Sequence, residues 1–238
     1  MAGRFWAFWA QVSQPAAPAE RKRAALFDMD KTLIRKNSAA LYKHYERDLG
    51  EISLFELLDT YAKYFQYVLG IVDADKLASR ALASYRGTPE TELIRRCAEW
   101  YPRYVRKHVL SEGVRAVEHH RNLGHQLAIV TASTTYATAP LAADLGIESI
   151  VATELELDTK GALTGAYRRP LCYGQGKLER VQTFLADRSL ELREAVFYTD
   201  SITDLPLLEA VAEPNVVNPD PRLRREAKVR GWPILIWR

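Results

Sequence analysis

Asp28 and Asp30, one residue apart in Leu26-Phe27-Asp28-Met29-Asp30-Lys31-Thr32, are the side chains of this sequence best spaced for chemistry. Two carboxylates this close repel each other unless a cation or a phosphoryl group stands between them. One can then act as a nucleophile while its neighbour moves protons, which fits phosphoryl transfer through an aspartyl phosphate. Taken alone, the pair is equally compatible with a loop or a helix cap. Three later segments also bring polar groups to the end of an apolar run or the start of a helical pattern. Gln126-Leu127-Ala128-Ile129-Val130-Thr131 ends in a hydroxyl. Lys177 follows Gly174-Gln175-Gly176. Ala195-Val196-Phe197-Tyr198-Thr199 runs into Asp200, with Asp204 four residues on.

The elements that must position these groups follow from the hydrophobic pattern. Ala24 to Phe27 is a short apolar run, read as a buried strand that delivers Asp28 at its carboxyl end. After His108 helices and strands alternate. Helices are expected over Ser111–Leu123, from about Tyr136 to Leu145, from near Lys177, over Asp204–Val211 and over Arg222–Arg230. Strands are expected to end at Thr131 and to run over Ser149–Ala152, Ala195–Thr199, Asn215–Val217 and Pro233–Trp237. Leu155 to Gly165 reads as a hairpin turning at Lys160-Gly161. Such alternation implies an α/β fold, a Rossmann-like, mostly parallel sheet covered by helices on both faces, with binding sites beyond the carboxyl ends of the strands. From Arg35 to His108 the strand signals vanish. Amphipathic helical patterns replace them, as in residues 54–62 and 91–100, punctuated by Gly70, Gly87-Thr88-Pro89 and Pro102. The expected organisation is a core domain of residues 1–34 and 109–238 with an all-helical cap, 35–108, inserted.

The four polar segments, in this order, resemble the haloacid dehalogenase (HAD) superfamily, and within it the phosphoserine-phosphatase-like branch with a helical cap (subfamily IB). The resemblance spans nearly the whole chain from about Arg21. It implies a phosphomonoester phosphatase with Asp28 as nucleophile and Asp30 as general acid and then base. It implies phosphate binding by Thr131, the backbone at Ala132, and Lys177. It also implies a Mg²⁺ site made by the Asp28 side chain, the Asp30 carbonyl and Asp200, with Asp204 at the metal site or capping the next helix. An all-oxygen donor set suits Mg²⁺ better than zinc.

The chain departs from phosphoserine phosphatases at three places. Their Glu nine residues after the nucleophile is Asn37 here, their Ser-Gly-Gly is Thr131-Ala132-Ser133, and the Asn before their last Asp is Thr203. These changes leave the phosphoryl-transfer groups in place and weaken phosphoserine as the substrate. Histidinol phosphate, phosphoserine or a similar small soluble metabolite is the expected substrate class. Tyr42, Lys43, His44, Tyr45, Arg95 and Tyr101 are the cap residues considered for specificity. A lipid-phosphate phosphatase at a membrane surface and a non-catalytic phospho-ligand module are the alternatives. The first rests on Phe5, Trp6, Phe8 and Trp9 and on the basic Arg222, Arg224, Arg225, Lys228 and Arg230, which also fit the solvated face of a helix.

Composition excludes other classes. Of the 238 residues, 47% are apolar and 26% charged, and the net charge of +3 is too small to argue for nucleic acid. No apolar stretch is long enough to span a bilayer, so no stable membrane insertion is expected. The N-terminal aromatic run lacks the cleavage pattern of a signal peptide. Cys97 and Cys172 are the two cysteines, so neither a disulfide framework nor a zinc site is expected, and a reducing cytoplasm is the simplest location. Lys177 does not belong to a P-loop, because Leu171 stands where the first Gly is needed. His119 and His120 are expected on a solvent-facing helix surface, with no metal role. Oligomeric state is not encoded legibly.

Overall fold

The computed structural model describes residues 23–53 and 74–238. The aromatic run at residues 5–9 and the helical pattern at 54–62 lie outside them. All four residues of β1 (Ala24–Phe27) are fully buried, so both faces of its sheet must be covered. Ala25 and Phe27 enter one hydrophobic cluster, while Ala24 and Leu26 enter a second on the opposite face, following the two-residue period of a strand.

After β1 come the helices α1 (Ser38–Asp48), α2 (Ala74–Ala83) and α3 (Glu90–Trp100). A π turn over Tyr101–Val105, containing Pro102, and a 3-10 turn over Arg106–His108 prolong α3. The chain then forms α4 (Ser111–Asn122), β2 (Gln126–Thr134), α5 (Thr135–Asp144), β3 (Ser149–Thr153), β4 (Leu155–Leu157) and β5 (Leu163–Tyr167). It finishes with α6 (Gln175–Ala186), β6 (Ala195–Thr199), α7 (Leu205–Ala210), β7 (Glu213–Val217), α8 (Pro221–Arg230) and β8 (Ile234–Leu235). Six strands make one sheet in the order β3-β2-β1-β6-β7-β8, every pairing parallel. The expected α/β class is thus observed. β1, which carries the nucleophile candidate, lies between β2 and β6, and so the three site-bearing strands are neighbours.

Between β1 and β2 the described residues form helices and no strand. The two ends of this stretch meet: the Arg35 N–H donates to the His108 carbonyl at 2.8 Å, and the Leu110 N–H to the Leu33 carbonyl at 2.9 Å. The antiparallel β4–β5 hairpin stands apart from the sheet and binds the helical stretch. Gly87 N–H donates to the Leu163 carbonyl at 2.8 Å, and Leu163 N–H returns a bond to the Thr88 carbonyl at 2.9 Å. Gly165 has φ +79°, and a Cβ there would stand 3.3 Å from Ala83 Cα, so both its backbone and its close approach to α2 favour glycine. Asp75 of α2 accepts from the Tyr167 hydroxyl and pairs with Arg169 at 2.8 Å.

Several local expectations are corrected. β2 continues three residues beyond Thr131 to Thr134, whose hydroxyl accepts from the Ala137 N–H at 3.2 Å and caps α5. Thr131 is therefore not a helix cap. The last strand has only two residues, and β7 begins at Glu213. His120 is not on a solvent-facing surface. With Gly113 and Val117 it forms the buried face of α4, and its Nε2 lies 2.9 Å from the Tyr198 hydroxyl. His119 does face solvent.

Candidate active site

Asp28 follows β1 directly, and its N–H donates to the Tyr198 carbonyl at 2.8 Å, so the β1–β6 pairing carries it into the crevice on a fixed backbone. Its buried carboxylate accepts from Lys177 Nζ through Oδ1 at 3.0 Å. The same ammonium donates to Asp204 Oδ2 at 2.8 Å, and the Thr199 hydroxyl donates to that oxygen at 2.6 Å. Lys177 can lie there because Gly176 brings the first turn of α6 against the preceding loop. A Cβ on Gly176 would stand 2.2 Å from the Leu171 carbonyl oxygen. Asp204 makes no side-chain cap bond to α7, which removes the reading of it as a simple helix cap. Its Oδ1 is buried with no hydrogen-bond partner among the described residues.

Asp30 is held quite differently. Its Oδ1 accepts from the Ser38 N–H at 2.9 Å, and its Oδ2 from the Asn37 side-chain amide and the Ser38 hydroxyl, both at 3.0 Å. Asn37 at the same time caps α1 through its Oδ1, which accepts from Ala40 N–H at 3.0 Å. Between the two carboxylates Lys31 sits at φ +56°, a left-handed conformation that a lysine adopts only when its surroundings impose it.

Thr131 is buried and its hydroxyl accepts from the Ser133 N–H at 3.1 Å, while Ala132 is exposed. Ser133 Oγ lies 3.4 Å from Ser38 Oγ, where β2 meets the start of α1. Asp200 is buried, and its carbonyl accepts from the Asp220 N–H at 2.9 Å. Asp220 in turn accepts from the Ile202 N–H at 2.7 Å, so the loop after β6 is tied to the start of α8.

The electrostatics are dominated by burial. It pushes Asp28 up to about 7, against the pull of Lys177 and with a further push from Asp204 and Asp30. Burial likewise raises Asp30 to about 6, opposed by the hydrogen bonds from Ser38. Asp200 is held well above the usual carboxylate range, first by burial and then by Asp28. For Lys177 burial opposes the charge, but Asp204 and Asp28 outweigh it and raise the ammonium. Four carboxylates around one buried ammonium leave a surplus of negative charge that a cation would relieve. Among the described residues no three His, Cys, Asp or Glu side chains form a ligating cluster. The Asp28 and Asp200 carboxylates could hold a metal together with a backbone carbonyl such as that of Asp30. These are hard oxygens in the small number that Mg²⁺ takes when it keeps waters and binds substrate phosphate.

A sequence model described as haloacid dehalogenase-like hydrolase matches residues 25–209. The chain belongs to that family. The histidinol-phosphatase of Neisseria meningitidis is 32% identical to it over 218 residues, 90% of this chain and 98% of that protein. A phosphoserine phosphatase of Mycobacterium tuberculosis is 30% identical over 224 residues, 91% of this chain and 71% of the relative. Among solved structures, a Bordetella pertussis protein of unknown function has a TM-score of 0.82 at 31% identity, covering 90% of this chain and 98% of its own. A substrate-bound phosphoserine phosphatase shares the fold, with a TM-score of 0.68 at 16% identity over 90% of this chain and 93% of its own. This HAD protein is a phosphatase of the phosphoserine-phosphatase-like branch.

In this HAD phosphatase Lys177 contacts both Asp28 and Asp204, and Asp30 and Thr131 are linked to the start of α1 through Ser38 and Ser133, whereas the Ala132 carbonyl accepts from Thr153. Of the six cap residues considered for specificity, Tyr42 and Lys43 line a cavity beside the site. Tyr45 bonds Glu99, Arg95 pairs with Glu92 and Glu99, and Tyr101 bonds Asp144; like His44, they are not cavity walls. Sequence reasoning missed Ser38 and Thr199. The Asn-Ser pair opening α1 was a visible capping signal, but its link to Asp30 depends on a chain reversal.

Proposed function

We propose that this phosphatase hydrolyses the phosphomonoester of a small metabolite by two displacements at Asp28, with Mg²⁺ bound. The observation that carries this reading is the contrast between the two neighbouring carboxylates. Asp28 accepts from the Lys177 ammonium, which pulls against the rise to about 7 that burial imposes and favours the ionised nucleophile. Asp30 accepts from the neutral Asn37 and Ser38 and is raised by burial to about 6, suited to giving and taking a proton.

Asp28 Oδ2, which accepts no hydrogen bond among the described residues, attacks phosphorus as the bond to the alcohol oxygen breaks. Asp30 gives its proton to that oxygen. Asp30, now ionised, then takes a proton from water as the water oxygen attacks phosphorus, and the bond to Asp28 breaks. Inorganic phosphate leaves with both residues restored. Lys177 offsets the negative charge on Asp28 and on the transferring group, while the Thr131 hydroxyl and Ala132 N–H bind phosphoryl oxygens. Asp28, Asp200 and the Asp30 carbonyl would hold Mg²⁺, which when bound neutralises phosphoryl oxygens. Asp204 acts beside them through Lys177 or a bound water, since its Oδ2 already accepts two bonds. Residues 35–108, helical in their described parts, serve as a cap that excludes water and shapes the leaving-group site. A cytoplasmic location is part of this proposal, supported by two buried free thiols. No described helix is long and apolar enough to cross a membrane.

Phosphate release from phosphoserine, histidinol phosphate and glycerol phosphate, with Mg²⁺ and after chelation, tests the reading in wild type and Asp28→Asn. Turnover on the preferred ester is expected to need Mg²⁺ and to fall at least about 10⁴-fold in the folded variant. Wild-type-like turnover by Asp28→Asn would overturn it.

A further inference from the structure

Beside the reacting carboxylates lies a cavity of about 330 Å³. Ser38, which binds Asp30, and Ser133, which follows the phosphate-binding segment, stand in its wall, so the cavity begins where a leaving alcohol would sit. From there it runs between α2 and α3 of the cap and the core, against Leu77, Leu82, Leu93, Leu155 and Leu171. Its surface is overwhelmingly apolar.

Its charge is equally informative. Lys43 is the single charged wall residue among the described residues, and it is already paired with Glu46 at 2.6 Å. The second oxygen of the Glu46 carboxylate accepts from the Tyr85 hydroxyl at 2.8 Å, and Glu46 is not a wall residue. An ammonium group on a bound ester would therefore meet a lysine and find no described carboxylate in the wall, and burying a charge without a partner is strongly unfavourable. Asn37, beside the cavity mouth, spends its side chain on Asp30 and on capping α1.

We propose that this cavity is the leaving-group site and that the substrate is a phosphomonoester of an uncharged, largely apolar alcohol. The inference rests on the phosphomonoesterase reading and specifies its substrate class. Burial of each leaving-group methylene against these walls supplies transition-state binding until the cavity is filled.

The test is kcat/KM with Mg²⁺ for methyl, butyl, hexyl and octyl phosphate, beside phosphoserine and histidinol phosphate. The expected result is a rise of about fourfold per added methylene over the shorter alkyl esters, with both amine-bearing esters below hexyl phosphate. The variant Ala81→Glu places a carboxylate at an exposed position of the cavity wall on α2. It is expected to flatten the chain-length dependence and to raise histidinol phosphate relative to hexyl phosphate. A flat series in wild type, an amine-bearing ester as the best substrate, or an unchanged series in Ala81→Glu overturns the inference while leaving the phosphatase in place. Absence of hydrolysis of every ester, methyl phosphate included, overturns the phosphomonoesterase reading itself.

Discussion

In the proposed mechanism Asp30 does different work from Asp28 because of what surrounds it, not because of its own chemistry. Ser38 supplies it with a backbone N–H and a hydroxyl, and Asn37 with an amide, all from the first residues of the cap. The proposed proton-transfer group is therefore fastened to the start of α1, in the stretch proposed as the cap. Ser38→Ala removes one of three bonds to Asp30 and leaves the backbone bond, so kcat for an alkyl phosphate is expected to drop about tenfold. For p-nitrophenyl phosphate, whose leaving group departs without a proton, the first displacement should lose much less. Equal losses on both esters would contradict a role in proton transfer. At this scale the sequence was informative where chemistry demands a residue type, as at Asp28, Asp30 and Lys177. It was silent on Ser38 and Thr199, whose partners lie across a turn or a loop.

Among the elements, α4 shows what periodicity reveals and what it hides. The helix was legible from its pattern and its following glycine, but which face it buries was settled by tertiary contact. His120 packs inward, with Nε2 near the Tyr198 hydroxyl and Nδ1 2.9 Å from His125 Nδ1. Tyr198 stacks on Phe27 at 4.9 Å, one residue before Asp28. Burial, helped by the neighbouring His125 and His119, lowers His120 from 6.5 to about 4. The folded protein thus keeps His120 neutral where the unfolded chain would protonate it. Its stabilising contribution is full above about pH 6.5 and is lost as pH falls from there towards about 4, amounting to at most about 3 kcal/mol. Urea midpoints measured from pH 7.5 to 4.5 should fall over that window, and less so in His120→Gln. An identical fall in the variant would place the sensitivity elsewhere.

Over the whole molecule, the alternation of strands and helices was enough to predict a parallel sheet covered on both faces. The strand order was not legible, because the pattern of one strand does not say which strand lies beside it. Nor was the docking of the β4–β5 hairpin on the cap through Gly165, Asp75 and Tyr167, which joins segments some ninety residues apart. The cavity beside the site belongs to this scale too, since its walls come from α1, α2, α3, β2, β3 and β4 together. The candidate site residues, by contrast, converge from β1, β2, α6 and β6 because parallel strands present their carboxyl ends on one side. The proposed mechanism requires Asp28 to form a bond to phosphorus. Rapid mixing of Asp30→Asn with p-nitrophenyl phosphate and Mg²⁺ tests this most directly, because the first displacement then needs no acid while the second lacks its base. The expected result is a burst of about one equivalent of nitrophenolate followed by slow turnover, with phosphate recovered on the peptide containing Asp28 after an acid quench. Slow turnover with no burst and no phosphorylated peptide would contradict it.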